Sequence, residues 1–424
     1  MHAPKLLTAA AAAVLLFTAC SSSKSSSGTS SGTNAPTTST SIVAAPKGIP
    51  AATAAFYSFS EPIPTTPGAL IKSARVAAPN IKGDVYRVLY VSTTVDNVPT
   101  PVTGLVIVPH TTAPAGGFPV VSWGHGTNGM ADMCAPSLQP DAAVPLVNTL
   151  LDQGWEVTAS DYQGEGTPGL LPYIAGDSAA RNTIDIVRAA HNLPGAHAGD
   201  NYVVWGHSEG GQTAMYTLHI GPQYAPELHM KGVVAGAPPS QFNLIYTFLQ
   251  TSPFKFYLLM AAGGLNTAYG DAKAPLDQVL TPKGMTFIPF LDQGCSDFVS
   301  QKLKDVTIAS VTKGDPFKLP LWKKILEAND PQQFKVKSTV PLLMIQGAND
   351  EQIPPISTEI LAKHLCGLHQ DLERWIYPGQ THAGVIGPSA GDMVKWITDR
   401  FAGAANPDPY KPKGLAGIDV TTCA

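Results

Sequence analysis

The residues with the clearest chemical potential are Gly206-His207-Ser208-Glu209-Gly210. The run Tyr202-Val203-Val204-Trp205 before them reads as a strand, and Gly211 to His219 after them as a helix. A serine between the two sits in a tight, strained turn that lifts its Oγ above the sheet. Gly206 and Gly210 remove the Cβ atoms that would clash there. A serine hydroxyl is a poor nucleophile near neutral pH and needs a base, which in turn needs an acid to orient it. Two later segments supply them in that order. The apolar run Pro341 to Gln346 leads through Gly347 to Asp350, with Glu351 the rival acid. The run Arg374 to Tyr377 leads to Gly379-Gln380-Thr381-His382. His364 and His369 are rival bases, but they fall in a helix and loop before the last strand. The expectation is a Ser208–His382–Asp350 triad. His382 takes the serine proton and returns it to the leaving alcohol, and Asp350 fixes the imidazole tautomer.

A tetrahedral oxyanion needs N–H donors. One is the amide of Glu209, directly after the nucleophile. The other is expected in the loop Gly124-His125-Gly126-Thr127, with Thr127 first and Gly126 second. The loop Asp161-Tyr162-Gln163-Gly164-Glu165-Gly166 is expected to shape the floor of the site and has no catalytic role.

The elements that must position these groups follow from periodicity. Tyr86 to Thr94 and Thr103 to Pro109 read as an antiparallel pair joined by a turn at Asp96 to Pro99. Further runs at 119–123, 155–160, 202–205, 232–237, 341–346 and 374–377 are apolar without alternation, as in a parallel sheet buried on both faces. Ser178 to Asn192 and Met393 to Phe401 carry helical periods between them. Strands alternating with helices make an α/β fold with a mostly parallel sheet and flanking helices. Residues 240–335 break the rhythm, with apolar helical pieces at Phe242 to Leu249 and Phe254 to Met260 and no strand pattern. They read as an inserted helical cap between two parts of the core, 48–239 and 336–424, over the sheet edge where ligands bind.

The chain of 424 residues is 44% hydrophobic and 14% charged, with net charge −4 and no long basic run, so nothing points to nucleic acid. Residues 1–19 read as a signal peptide whose apolar run is too short to span a bilayer. Phe17-Thr18-Ala19-Cys20 resembles a bacterial lipobox, although Phe17 departs from the usual Leu. Cys20 would receive the lipid, and the Ser/Thr/Gly-rich residues 20–47 would form a flexible tether. A bacterial cell-envelope protein anchored by lipid is expected, with secretion the alternative. Four further cysteines, Cys134, Cys295, Cys366 and Cys423, suit two disulfides in an oxidising compartment, with three connectivities open. Their scatter argues against a metal site.

With these residues in view, the chain resembles the secretory lipase family of bacteria and fungi, within the α/β-hydrolase fold. The matching features are GHGT at 124–127, DYxGxG at 161–166, GHSEGG at 206–211, GxxD at 347–350 and GxTH at 379–382, and the resemblance covers roughly residues 55–402. It implies hydrolysis of acylglycerols or simpler carboxylic esters through an acyl-enzyme, a helical cap, and neither metal nor cofactor. It also implies pairing of Cys134 with Cys295 and of Cys366 with Cys423. Fungal members carry an acidic residue in the oxyanion loop where this chain has Thr127, so that detail does not transfer. The same triad would serve an acyltransferase, which sequence cannot separate from a hydrolase. A non-catalytic lipid-binding lipoprotein would be expected to lack a triad member, and a peptidase of this fold to bring a large extra domain.

Overall fold

The computed structural model describes residues 42–43, 47–60, 62–404 and 411–423. The expected signal peptide, the lipid site at Cys20 and nearly all of the tether lie outside these residues. Ile42–Val43 (β1) and Phe59–Ser60 (β2) form a small antiparallel pair. All other strands join one ten-stranded sheet.

That sheet begins with three antiparallel strands, Leu70–Val76 (β3), Gly83–Thr93 (β4) and Pro99–Pro109 (β5). Six mutually parallel strands follow: Phe118–Gly124 (β6), Glu156–Ser160 (β7), Ala198–His207 (β8), His229–Gly236 (β9), Leu342–Gly347 (β10) and Leu372–Tyr377 (β11). Asp419–Cys423 (β12) closes the far edge antiparallel to β11. The spatial order is β12-β11-β10-β9-β8-β6-β7-β5-β4-β3. This is a mostly parallel α/β-hydrolase sheet.

The strands are apolar without alternation because both faces are buried, and successive side chains serve different cores. Val203 and Trp205 of β8 join Val121, Trp123, Val157, Trp375 and Trp396 on one face. Tyr202 and Val204 join Val120, Ile184, Met215 and Leu361 on the other. The first face is covered by the helix Ile386–Phe401, the second by the helices Gly176–His191, Glu209–Tyr224 and Pro355–Gly367.

Between β9 and β10, among the described residues, lie helices and turns and no strand. The longer helices are Phe242–Leu249, Phe256–Tyr269, Ser296–Leu303 and Pro320–Ala328. They build two apolar cores of their own, one around Leu249, Leu265, Leu280 and Trp322. The other takes Leu259, Met260 and Leu303 against Met130, Tyr162 and Tyr173 of the sheet's loops. The two ends of the insertion are stitched together: the Asp330 carboxylate accepts the amides of Gln241 (3.1 Å) and Phe242 (2.8 Å). Cys134–Cys295 ties the insertion to the segment after β6, and Cys366–Cys423 ties β12 to the helix Pro355–Gly367. This is the pairing that the family resemblance implies.

Several helices run further than the sequence reading gave them, Glu209–Tyr224 past His219 among them. The helix expected to end at Met260 continues to Tyr269 through Gly263 and Gly264. These glycines are there for contact rather than to break the helix. A Cβ on Gly263 would lie 2.4 Å from Leu291 Cδ1, and one on Gly264 2.4 Å from the Tyr173 amide nitrogen. The last helix starts at Ile386 instead of Met393, because Pro388 falls in its first turn, where a missing N–H costs nothing.

Candidate active site

β8 runs into the helix Glu209–Tyr224 with Ser208 alone between them. Ser208 has φ 61° and ψ −122°, a left-handed conformation that costs a non-glycine residue of order 1–3 kcal/mol. Its amide donates to Gly236 O at 2.9 Å, anchoring the turn on β9. The flanking glycines are obligatory. A Cβ on Gly206 would stand 2.0 Å from Gly210 O, and one on Gly210 would stand 1.9 Å from Gly124 O.

Asp350 lies in the turn after β10 and His382 in the turn after β11. Their strands are neighbours in register, Gly347 facing Tyr377, and this brings the two side chains together. His382 Nδ1 lies 2.8 Å from Asp350 Oδ2. Both residues are buried. Asp350 is held on every side. Its Oδ2 also accepts Gln346 Nε2 at 2.9 Å, and its Oδ1 accepts the amides of Gln352 (2.9 Å) and Ile353 (2.8 Å). The rival acid Glu351 is exposed and accepts the His382 backbone amide at 3.1 Å, a contact with the main chain and not with the ring. The rival His364 gives its ring to Phe334 O at 2.7 Å, and His369 follows the helix Pro355–Gly367 in a left-handed turn.

The ring of His382 packs against that of His207, the residue before Ser208, at 4.7 Å between centroids. Burial, then the nearby His382, holds the His207 ring down to about 3, so it stays neutral. Ser208 lines the pocket described below, and among the described residues its Oγ makes no hydrogen bond.

The loop after β6 lies beside the elbow. A Cβ on Gly126 would be 3.2 Å from His207 O and 3.5 Å from Ser208 Cβ. Thr127 Oγ1 is 3.0 Å from the Tyr173 hydroxyl. The His125 ring stacks on Tyr162 at 4.2 Å, near Gly126 O (2.8 Å) and Asp161 O (3.3 Å). Burial lowers its pKa to about 4. The Glu209 amide opens the helix Glu209–Tyr224, where first-turn N–H groups have no intrahelical partner. The Glu209 carboxyl is buried, and that burial pushes its pKa up to about 8.

The Asp161–Gly166 loop props this arrangement from below. The Asp161 carboxylate accepts the Ser137 amide at 2.8 Å and the Ser137 hydroxyl, and Tyr162 donates to His125 O at 3.3 Å. Tyr162 lies in the loop expected to shape the floor of the site, whereas sequence reasoning missed Tyr173 and Gln346 as supports. They belong to no local motif, and only the fold brings them to the site.

An apolar pocket extends from Ser208 into the insertion. It is lined by Phe242, Ile245, Leu249, Leu265 and Trp322 among others, and holds roughly 960 Å³ with its open mouth included. Groups of His, Cys, Asp and Glu suited to a metal ion are absent among the described residues.

Comparison with known proteins agrees with this architecture. Residues 132–408 match the family model of the secretory lipases, a stretch containing Ser208, Asp350 and His382. The chain is 26% identical over 364 residues to the secreted triacylglycerol lipase LIP4 of Malassezia globosa, covering 79% of this chain and 78% of that protein. It is 26% identical over 371 residues to lipase A of Arthroderma benhamiae, covering 80% and 77%. Among solved structures, Candida antarctica lipase A in its closed state superposes with a TM-score of 0.69 at 21% identity, over 82% of this chain and 85% of that one. From its matched residues and its fold, the chain belongs to the secretory lipase family of α/β-hydrolases.

Proposed function

We propose that this chain hydrolyses carboxylic esters with apolar acyl groups, triacylglycerols among them, through Ser208, His382 and Asp350. The observation that carries this reading is the His382 imidazole, fixed by Asp350 at 2.8 Å and packed against the residue that precedes a strained elbow serine. With Nδ1 donating to Asp350, Nε2 presents a lone pair to take the Ser208 proton. Oγ attacks the ester carbonyl carbon, and the oxyanion is received by the amides of Glu209 and Thr127, with Gly126 the second candidate for the loop donor. Collapse of the intermediate expels the alcohol, which takes its proton from His382. Water activated by the same base then frees the acid from the acyl-enzyme.

Residues 240–335 act in this reading as the cap, with the acyl chain in its apolar pocket. The secreted relatives support export. Attachment of lipid at Cys20, with residues 20–47 as a leash, would hold the enzyme at the membrane of the cell envelope. Two experiments test the proposal. A fluorophosphonate probe should label the wild type and not Ser208→Ala, with hydrolysis of an ester series from acetate to oleate lost in parallel. Labelling that persists in Ser208→Ala would refute the assignment. Mass spectrometry of the mature N-terminus tests the anchor, a diacylglyceryl cysteine at position 20 being the expected species.

A further inference from the structure

The loop after β6 carries a buried ring that the reaction scheme above does not use. The loop is pinned on several sides. His125 O accepts the Tyr162 hydroxyl at 3.3 Å, Thr127 Oγ1 lies 3.0 Å from the Tyr173 hydroxyl, and Asn128 O accepts the Ser296 amide at 2.8 Å. None of these contacts sets the plane of the peptide between Gly126 and Thr127. That plane has a single hold among the described residues, His125 Nδ1 at 2.8 Å from Gly126 O. The Thr127 amide, on the other side of the same peptide, donates to no group among the described residues.

The ring proton follows from these contacts. A carbonyl oxygen this close to a bare ring nitrogen would set two lone pairs against each other, so Nδ1 carries the proton and donates it. The Asn128 side-chain amide stands 3.3 Å from the same nitrogen and, rotated by half a turn, presents it an oxygen. Nε2 faces Asp161 O at 3.3 Å and Glu165 Oε2 at 3.6 Å. Gly126 O is the nearer of the two carbonyls, so it takes the proton. Burial keeps the Glu165 carboxyl protonated, so that acid does not draw the proton across to Nε2.

A peptide unit is planar and trans, so its C=O and N–H point in opposite directions. With Gly126 O held down on the buried ring, the Thr127 N–H turns away from it. His125 is buried, whereas Thr127 is partly exposed. The elbow is adjacent, since a Cβ on Gly126 would come within 3.5 Å of Ser208 Cβ.

We propose that His125 is a positioning residue, whose Nδ1–H locks the Gly126–Thr127 peptide so that the Thr127 amide faces the carbonyl oxygen of an ester at Ser208. This rests on the reading of Ser208 as nucleophile and of residues 125–127 as the oxyanion loop. An oxyanion donor stabilises the transition state most when it is aimed beforehand. A peptide without the lock would spend part of its time with its carbonyl oxygen toward the developing charge, which repels it.

The test compares His125→Asn, His125→Gln and His125→Phe. Asn places an N–H near the position of Nδ1, Gln places one near that of Nε2, and both give up the stack on Tyr162. Phe keeps an aromatic ring there and has no donor. With p-nitrophenyl butyrate, His125→Gln and His125→Phe should lose about 10²-fold in kcat with KM within about three-fold, the size of effect that loss of one oxyanion donor has. His125→Asn should return to within about ten-fold of the wild type. The same order should appear in the rate of inactivation by diethyl p-nitrophenyl phosphate, whose phosphoryl oxygen enters the same hole. Equal kcat in His125→Asn and His125→Gln overturns the proposal. So does a His125→Phe variant within about five-fold of the wild type, and either comparison decides if the other variants do not fold. Failure of the underlying reading would show separately, as fluorophosphonate labelling that does not depend on Ser208.

Discussion

Replacing Asp350 by Asn changes one oxygen for an amide and little in volume, yet the hydrogen bonds around it decide what happens next. Oδ1 accepts two backbone amides, from Gln352 and Ile353, which cannot become acceptors. The Asn oxygen must therefore take that side, and its NH₂ must face His382 and Gln346. Gln346 cannot turn round to accommodate it, because its Nε2 also donates to Ile353 O (2.8 Å) and its Oε1 accepts the Thr358 hydroxyl (2.7 Å). His382 Nδ1 then meets a donor and must be an acceptor, so the neutral ring carries its proton on Nε2 and cannot accept one from Ser208. The same tautomer trap in serine proteases lowers kcat about 10⁴-fold, or about 5 kcal/mol of barrier. The expected result is a kcat reduced by 10³–10⁴-fold. KM for p-nitrophenyl butyrate should be little changed, while the buried clash of the new NH₂ with Gln346 Nε2 should lower the thermal midpoint by a few degrees. Glu351→Gln, which alters the neighbouring acid, should stay within about three-fold of the wild type, since its contact with residue 382 is to the main chain. An Asp350→Asn variant within ten-fold of the wild type, or a Glu351→Gln variant that is as impaired, would refute the assignment of the acid.

Two further outcomes follow from the same structure. Serine at both Cys366 and Cys423 opens a loop with a sequence separation of 57, which chain-entropy arguments value at about 4 kcal/mol. The melting temperature should drop by several degrees, with kcat retained because β12 lies at the far edge of the sheet from β3 and makes no contact with the elbow's strand. Ala262→Trp should fill the apolar pocket beside Leu265 and Phe242. The ratio of kcat/KM for decanoate over butyrate esters should then fall at least about ten-fold, and a ratio that does not move would remove this pocket from the acyl-binding reading.

Much of the architecture was legible because the parallel strands are buried on both faces, leaving uninterrupted apolar runs such as Pro341 to Gln346 and Pro119 to Trp123. Edge strands carry no such signature. β3 holds Lys72 and Arg75 and is half exposed, which protects a sheet edge but hides the strand. β12 is exposed along most of its length and is held by β11 and a disulfide, with no apolar pattern to reveal it. The candidate site divides in the same way. Ser208, Asp350 and His382 follow strands and stand in marked turns, so chain order alone suggests them. The supports Tyr173 and Gln346 reach the site by folding, from segments whose local sequence resembles any core or loop.

If Ser208 is the nucleophile proposed above, the fastening of residues 240–335 also limits how substrate reaches it. Asp330 clasps the two ends of the insertion, and a covalent bond at Cys295 grips its middle. A body pinned at its base and again at a distant point has lost the freedom to pivot as one piece. On the proposed function, admission of a bulky ester would come from local yielding between those two fixed points, such as separation of Phe242–Leu249 from Phe256–Tyr269. Reductants should accordingly alter how the enzyme admits substrate before they alter whether it is folded.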